Sequence, residues 1–199
     1  MNDWKAKQAA EAVAVKALIE CNPHLVPVSS CRDGLIAATK NMRIELALAF
    51  PGVKFSIKSS RFSGGDSIDV KWTDGPTSDQ VKHVIQRYEA GTFNCMDDLY
   101  TYRRDYWTKA FGDAKYVMTN RRMSETAVAA AIRLVRAKFG DEAIGPDVTV
   151  EAYDRGSLMG RPAPMMNTDV HDLISRALYR QCYAITRPFL RVPDELEAA

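Results

Sequence analysis

Two adjacent carboxylates and a short group of thiol and imidazole side chains are the residues best suited to chemistry. Asp97 and Asp98 could form an acid–base pair or hold a metal ion. Cys21, His24 and Cys31 offer zinc ligands, but a zinc site usually has four ligands in two close pairs, and the other cysteines and histidines are scattered. Turn or cap aspartates and half-buried thiols are the more frequent uses, so we predict no metal site, catalytic residue or cofactor. An enzyme using Asp97/Asp98 or the Cys21–Cys31 region remains an alternative.

The Ser-Gly-Gly-Asp segment at residues 63–66 has the composition of a phosphate-binding loop. Such a loop usually leads into a helix, and a Walker loop ends in Gly-Lys-Ser/Thr. This segment lacks that ending and separates two runs in which apolar and polar residues alternate. Gly64 and Gly65 suit the positive φ angles of a tight turn. The sequence therefore predicts a β-hairpin turn here rather than a phosphate site.

Charged and aromatic side chains form two candidate binding surfaces. If the apolar residues of the two alternating runs face the core, their lysines share the opposite face. This face and the adjoining turn carry Lys54, Lys58, Arg61, Phe62 and Lys71. A second cluster combines tyrosine with arginine, as interfaces and base-stacking sites do. Its members are Tyr100, Tyr102, Arg103 and Arg104. The plainer interpretations are a solvated sheet face and aromatic core packing.

The elements that position these residues are predicted from periodicity. Apolar residues at three- and four-residue steps predict helices over 3–20, 34–49, 78–89, 125–139 and 169–185. Alternation predicts strands at 53–57, 68–72, 115–119 and 148–152. The mixture indicates an α+β fold with antiparallel β-hairpins packed against several amphipathic helices. A weak echo between 50–55 and 139–150 indicates either two helix-plus-sheet units or a coincidence of pattern.

Composition limits the class of protein. The chain has 199 residues, 46% apolar and 26% charged, which is typical of one large globular domain or two small lobes. A net charge of +2 excludes an acidic DNA mimic and gives no strong case for a dedicated nucleic-acid-binding domain. Without an apolar run of membrane-spanning length or a secretory signal, we expect a cytoplasmic protein with reduced cysteines and no membrane partner.

The order of motifs from Phe50 to Tyr102 resembles a known family. The segment reads PGVKFSIKSSRFSGG, then SIDVKWTDGPT, and, after a helix, GTF and DDLYTY. It is similar to the large polyvalent protein-associated domains, of the type with Ser-Gly-Gly, a V-x-W strand and Asp-Gly-Pro, over roughly residues 35–120. Such domains occur on bacteriophages, plasmids and conjugative elements, which implies protecting or servicing the incoming element. The matching residues are explicable as turn and core residues: Ser63, Gly64, Gly65, Trp72, Asp74, Gly75 and Pro76.

These observations favour a mobile-element protein that acts by binding rather than catalysis. The resemblance implies an anti-defence protein, of the anti-CRISPR or antirestriction kind, that docks on a host defence protein or ribonucleoprotein complex. The first alternative is a DNA- or RNA-binding accessory protein of a phage or plasmid. We expect a domain at residues 1–120 with a helix–strand–helix part at 121–199 packed on it, or one continuous domain.

Overall fold

The computed structural model of the protein describes residues 2–94, 99–103, 105–165 and 167–186. The helices are α1 (Asn2–Cys21), α2 (Gly34–Ala49), α3 (Ser78–Ile85), α4 (Tyr106–Phe111), α5 (Glu125–Phe139), α6 (Asp141–Ile144), α7 (Val150–Asp154) and α8 (Val170–Thr186). The strands are β1 (Ser56–Phe62), β2 (Gly65–Thr73), β3 (Gly91–Asn94), β4 (Leu99–Tyr102) and β5 (Tyr116–Arg122). Helices packed with two sheets confirm the predicted α+β class. Among the described residues, no helix is both long and apolar enough to cross a lipid bilayer.

The predicted hairpin is confirmed as the antiparallel pair β1–β2. Ser56 lies opposite Lys71, and Phe62 lies opposite Gly65. Gly65 has a φ of +143°, a backbone conformation that a side chain would strain, which explains a glycine at the end of the turn. β5 pairs with the other side of β2, giving the order β1-β2-β5, while β3 and β4 form a separate two-stranded antiparallel sheet.

Contacts divide the chain into two compact units. Unit 1 contains residues 1–72 and 78–120, and unit 2 contains residues 73–77 and 121–199. The sequence-based domain division stays a prediction. In unit 1, the Asp33 carboxylate accepts the Ile36 N–H at 3.0 Å and caps α2. The apolar face of α2 packs with the inner face of the hairpin in a core that includes Leu35, Met42, Leu46, Ile57, Ile68, Val70 and Ile85.

A fully buried asparagine joins three segments of unit 1. Asn41 Oδ1 accepts the Val26 N–H at 2.7 Å, and Asn41 Nδ2 donates to the carbonyl oxygens of Val26 at 2.9 Å and Phe111 at 3.1 Å. Buried backbone groups outside helices and sheets need such partners, because water cannot reach them. Asn41 therefore fixes both the loop before α2 and the end of α4 against α2.

Unit 2 is built mainly on the packing of α5 and α8. The Ser124 hydroxyl accepts a hydrogen bond from the Ala127 N–H at 3.2 Å and caps the N-terminus of α5. The shared core contains Val128, Ile132, Val135, Ile144, Val148, Ile174 and Leu178. Arg136 donates to the carbonyl oxygens of Gly145 and Val148, which holds the segment between α5 and α7 against α5.

The strand predicted at 148–152 is wrong, because this segment enters helix α7. The Thr149 hydroxyl accepts the Ala152 N–H at 3.2 Å, which caps a helix start at Val150. Val148 is buried as the residue before that cap. Three apolar residues at alternate positions are too few to distinguish a strand from the first turn of a helix. The echo with 50–55 therefore fails at its second strand.

Asp74 organises the turn that belongs to unit 2. Its φ is +57°, its carboxylate accepts the Ser124 N–H at 2.9 Å, and its own N–H donates to the Arg122 oxygen at 2.8 Å. We expect Asp74→Ala to lower the free energy of unfolding of unit 2 by about 1–3 kcal/mol, because it removes this acceptor and strains alanine at positive φ. Far-UV circular dichroism during urea unfolding measures the loss. Asp74→Asn keeps an acceptor and tolerates positive φ, so an equal loss in that variant would contradict this account.

Candidate binding surface

The outer face of the three-stranded sheet carries exposed lysines. Residues opposite each other in an antiparallel pair share a face, so Lys58 (opposite Asp69) and Lys71 (opposite Ser56) lie on the same side. The other side contains the buried pair Ile57 and Val70. Lys54, just before β1, is also exposed. Within the part of the chain that the structure describes, these three lysines form no ion pairs.

Arg61 is separated from the lysines by strand alternation. It lies on the face of Ile57, and its guanidinium pairs with the Asp33 carboxylate at 2.7 Å. The Ile36 N–H, and then Arg61, hold the pKa of Asp33 below its ordinary value. Arg61 thus completes the cap of α2, and the structure does not bring it together with the lysine side chains.

Four aromatic rings connect the two candidate binding surfaces, which are the lysine face of the hairpin and the tyrosine–arginine cluster. We call Phe62, Tyr116, Tyr100 and Tyr102 the aromatic stripe. Successive ring centroids lie 6.2, 6.0 and 4.7 Å apart, and the first pair is nearly parallel at 19°. Tyr116 alternates with Val117, which packs against the core, so Tyr116 belongs to the outer face. The end residues Phe62 and Tyr102 are 51% and 55% exposed.

Lys115 joins the hairpin turn to the stripe. Its Nζ donates to the Gly64 oxygen at 2.8 Å and lies 5.3 Å from the ring centroids of both Tyr100 and Tyr116. A Cβ atom at Gly65 would lie 2.6 Å from the Lys115 Cδ, so the glycine leaves room for this side chain. The Ser-Gly-Gly turn therefore seats a lysine beside two rings, where the ammonium is attracted to the ring faces.

Tyr100 is held in the middle of the stripe as a neutral phenol. Its hydroxyl donates to the Lys115 carbonyl oxygen at 2.7 Å. Burial, followed by negative charge that includes Glu89 and Asp113, raises the pKa of Tyr100 to about 12. At neutral pH the residue keeps its proton and acts as a hydrogen-bond donor and packing surface.

An open pocket lies at the Tyr102 end of the stripe. It has a volume of about 230 Å³ and is lined by Ala90, Tyr102, Arg103, Thr108, Lys109 and Asp113. Arg103 is held in place by the Asp105 carboxylate at 2.9 Å and by the Arg87 carbonyl oxygen at 2.9 Å. Burial raises the pKa of Asp113, and the neighbouring carboxylates of Asp66 and Asp105 raise it further.

Asp113 should make stability depend on pH. The pKa of Asp113 is raised in the folded protein, so the protonated carboxyl contributes to the free energy of unfolding. This contribution is fully present below the ordinary pKa of 3.8 and is lost as the pH rises through the raised pKa. We expect Asp113→Asn, which resembles the protonated acid, to raise the melting temperature at pH 7, because the amide carries no charge to desolvate.

Melting curves of wild type and variant across the pH range test this expectation. The two should converge below pH 3.8, where the wild-type carboxyl is also protonated. Asp154→Asn, at an exposed aspartate, serves as the control and should move the midpoint little at either pH. A variant no more stable than the wild type at pH 7 would refute the burial cost.

Several candidate residues lie apart from this surface or outside the description. Arg104, Asp97 and Asp98 fall outside the described residues. Cys21 and His24 are exposed, and Cys31 accepts a hydrogen bond from Lys40 Nζ at 3.8 Å. Across the described ranges, no group of three Cys, His, Asp or Glu side chains is arranged to hold a metal ion.

Tyr116 and Lys115 are members of the surface that were not predicted from the sequence. The strand at 115–119 was predicted, and its aromatic and basic residues were the available signal. Their role depends on the pairing of β5 with β2, which local patterns do not specify. Exposed Met118, two residues from Tyr116 on β5, was missed for the same reason.

Comparison with known proteins gives one family. The model of large polyvalent protein associated domain 29 matches residues 35–124, which confirms the resemblance seen in the motifs and indicates a protein associated with a phage or another mobile element. The matched segment includes the hairpin, both sheets and the whole aromatic stripe. Searches of curated proteins and of solved structures find no match.

Proposed function

We propose that this protein, whose residues 35–124 belong to the large polyvalent protein associated domain 29 family, is a mobile-element accessory protein that acts by binding. The target we propose is a host nucleic-acid-targeting complex, of the CRISPR or restriction kind, so that the protein protects the incoming element from host defence. Binding rather than catalysis, and no cofactor, are part of the proposal.

The aromatic stripe is the observation that carries the proposal. Tyrosine, phenylalanine, methionine and arginine are enriched at protein interfaces, and this surface combines them, with Arg103 at its Tyr102 end. Phe62, Tyr102 and Met118 are each more than half exposed, and Met118 is on the same face of β5 as Tyr116. Large apolar side chains that cluster in solvent commonly mark an interaction surface. The lysines of the outer sheet face add positive charge, which suits a target that carries nucleic acid.

Expression in a defended host tests the proposed function. Cells with an active restriction or CRISPR system are challenged with a susceptible phage, and plating efficiency is compared with and without the protein. We expect the wild type to raise plating efficiency and the double variant Phe62→Ala/Tyr102→Ala to lose most of that effect. Tyr179→Ala, which changes a 59% exposed tyrosine of unit 2, is the matched control and should behave as wild type.

Unchanged plating efficiency in defended hosts that accumulate the folded wild-type protein would refute this proposal. Full protection by the double variant would instead remove the aromatic stripe from the proposal. Immunoblotting and melting curves of each variant establish that lost protection does not come from a lost fold.

A further inference from the structure

We propose that the aromatic stripe and the outer sheet face bind single-stranded nucleic acid, and that this strand is the part of the host complex that they contact. The inference rests on the proposed function in using the same surface, and it adds the chemical class of the ligand. It assigns base stacking to Phe62 and Tyr102, and phosphate contacts to the lysines.

The geometry of the sheet supports base stacking. Phe62 on β1 and Tyr116 on β5 meet on the outer face, on either side of the central strand β2. Some RNA-binding sheets stack unpaired bases on aromatic side chains that several strands present on one face. The exposed ends Phe62 and Tyr102 offer ring surface for stacking, whereas Tyr116 and Tyr100 are partly covered and position the end rings.

The charges on the outer sheet face, along the hairpin from Phe62, fit a phosphate backbone. Lys54, Lys58 and Lys71 are exposed on or beside the outer face, and the described residues offer them no carboxylate within ion-pair distance. Lysines of this kind neutralise phosphates without reading sequence. A duplex buries its base faces in its own stack, so exposed rings that share the outer face with unpaired lysines farther along β1 and β2 favour a single strand.

Asp69 opposes this binding and supplies a sensitive test. It lies directly across from Lys58 on the outer face and is half-buried. Its negative charge would repel a phosphate held by Lys58 or Lys71. Removal of that charge by Asp69→Asn should therefore tighten binding, an effect that damage to the fold would not produce.

Fluorescence polarisation with labelled 20-nucleotide single-stranded DNA and RNA of mixed sequence tests the inference on the full chain. We expect binding at 50 mM salt, at least tenfold weaker binding to the matching duplex, and at least tenfold weaker binding of single strands by Phe62→Ala/Tyr102→Ala. Lys58→Gln/Lys71→Gln should reduce the slope of log affinity against log salt by about 1.4, the value for two phosphates on a single strand. Asp69→Asn should bind at least twofold tighter, and Tyr179→Ala should match wild type.

Three outcomes would overturn the inference: no binding of either single strand at 50 mM salt, equal affinity for the duplex, or unchanged affinity in the Phe62→Ala/Tyr102→Ala variant. If the strands do not bind while the wild type still protects phage, the ligand is a protein surface and only the proposed function stands. If the strands bind as expected but no host is inhibited, the assignment of single-stranded nucleic acid as the ligand stands, and its place in a host complex fails together with the proposed function.

Discussion

Replacement of Asn41 by leucine is expected to lower the free energy of unfolding of unit 1 by about 3–5 kcal/mol. Leucine has a similar size but cannot pair with the Val26 N–H or with the carbonyl oxygens of Val26 and Phe111. A buried backbone group left without a partner costs about 1–3 kcal/mol, and local relaxation recovers part of the total. The effect is large because one side chain serves three groups in a fully buried site.

Urea unfolding followed by tryptophan fluorescence measures this loss in the right unit. The chain has three tryptophans, Trp4, Trp72 and Trp107, and all belong to unit 1. Thr39→Val in the same helix is the matched control. Its buried hydroxyl donates only to the Leu35 carbonyl within α2, so we expect a loss below about 1.5 kcal/mol. Similar losses in the two variants would contradict the bridging role of Asn41.

Gly112→Ala is expected to cost a similar amount, about 3–5 kcal/mol, by forcing two backbone segments apart. Gly112 has a φ of +85°, and a Cβ atom there would lie 2.0 Å from the Gly34 carbonyl oxygen. Strain at positive φ and overpacking against rigid backbone each cost about 1–3 kcal/mol. The start of α2 and the end of α4 must therefore separate, and the Asn41 contact with Phe111 weakens with them.

Gly52→Ala separates the two causes. Gly52 has the same φ of +85°, but, apart from its chain neighbours, no atom of the described residues lies within 4 Å of its added Cβ. This variant should lose only the conformational part, about 1–2 kcal/mol, by the same fluorescence measurement. If both variants unfold at the same urea concentration, close approach to Gly34 is not what requires glycine at position 112.

The long helices could be predicted because their signals are local. The predicted ranges 34–49 and 125–139 coincide with α2 and α5, where the apolar period repeats over several turns and side chains cap the starts. The short strands β3 and β4 were not predicted, since four residues carry too little alternation to recognise. At 148–152 an equally short alternating pattern predicted a strand, whereas Thr149 caps the start of a helix there.

The candidate surface was predicted in its parts but not in its arrangement. Phe62, Tyr100 and Tyr102 were recognised from residue type and context. Tyr116 joins these residues into one surface, and it reaches Phe62 because β5 pairs with β2. Local sequence patterns do not report a pairing between strands that far apart in the chain. Arg61 was predicted as part of the surface, but it lies on the other face of the hairpin, where it pairs with Asp33.

The Lys115 side chain over Gly65 has a consequence for how the surface is recognised. The stripe and its neighbouring lysine combine Phe62, Tyr100, Tyr102, Lys115 and Tyr116, which are brought together by folding. A synthetic hairpin covering 54–73 contains Phe62 and the lysines of the outer face but no tyrosine. A peptide covering 99–118 contains the three tyrosines of the stripe but not Phe62. To an antibody or any other folded partner, the surface is a conformational epitope, absent from every short peptide of the chain.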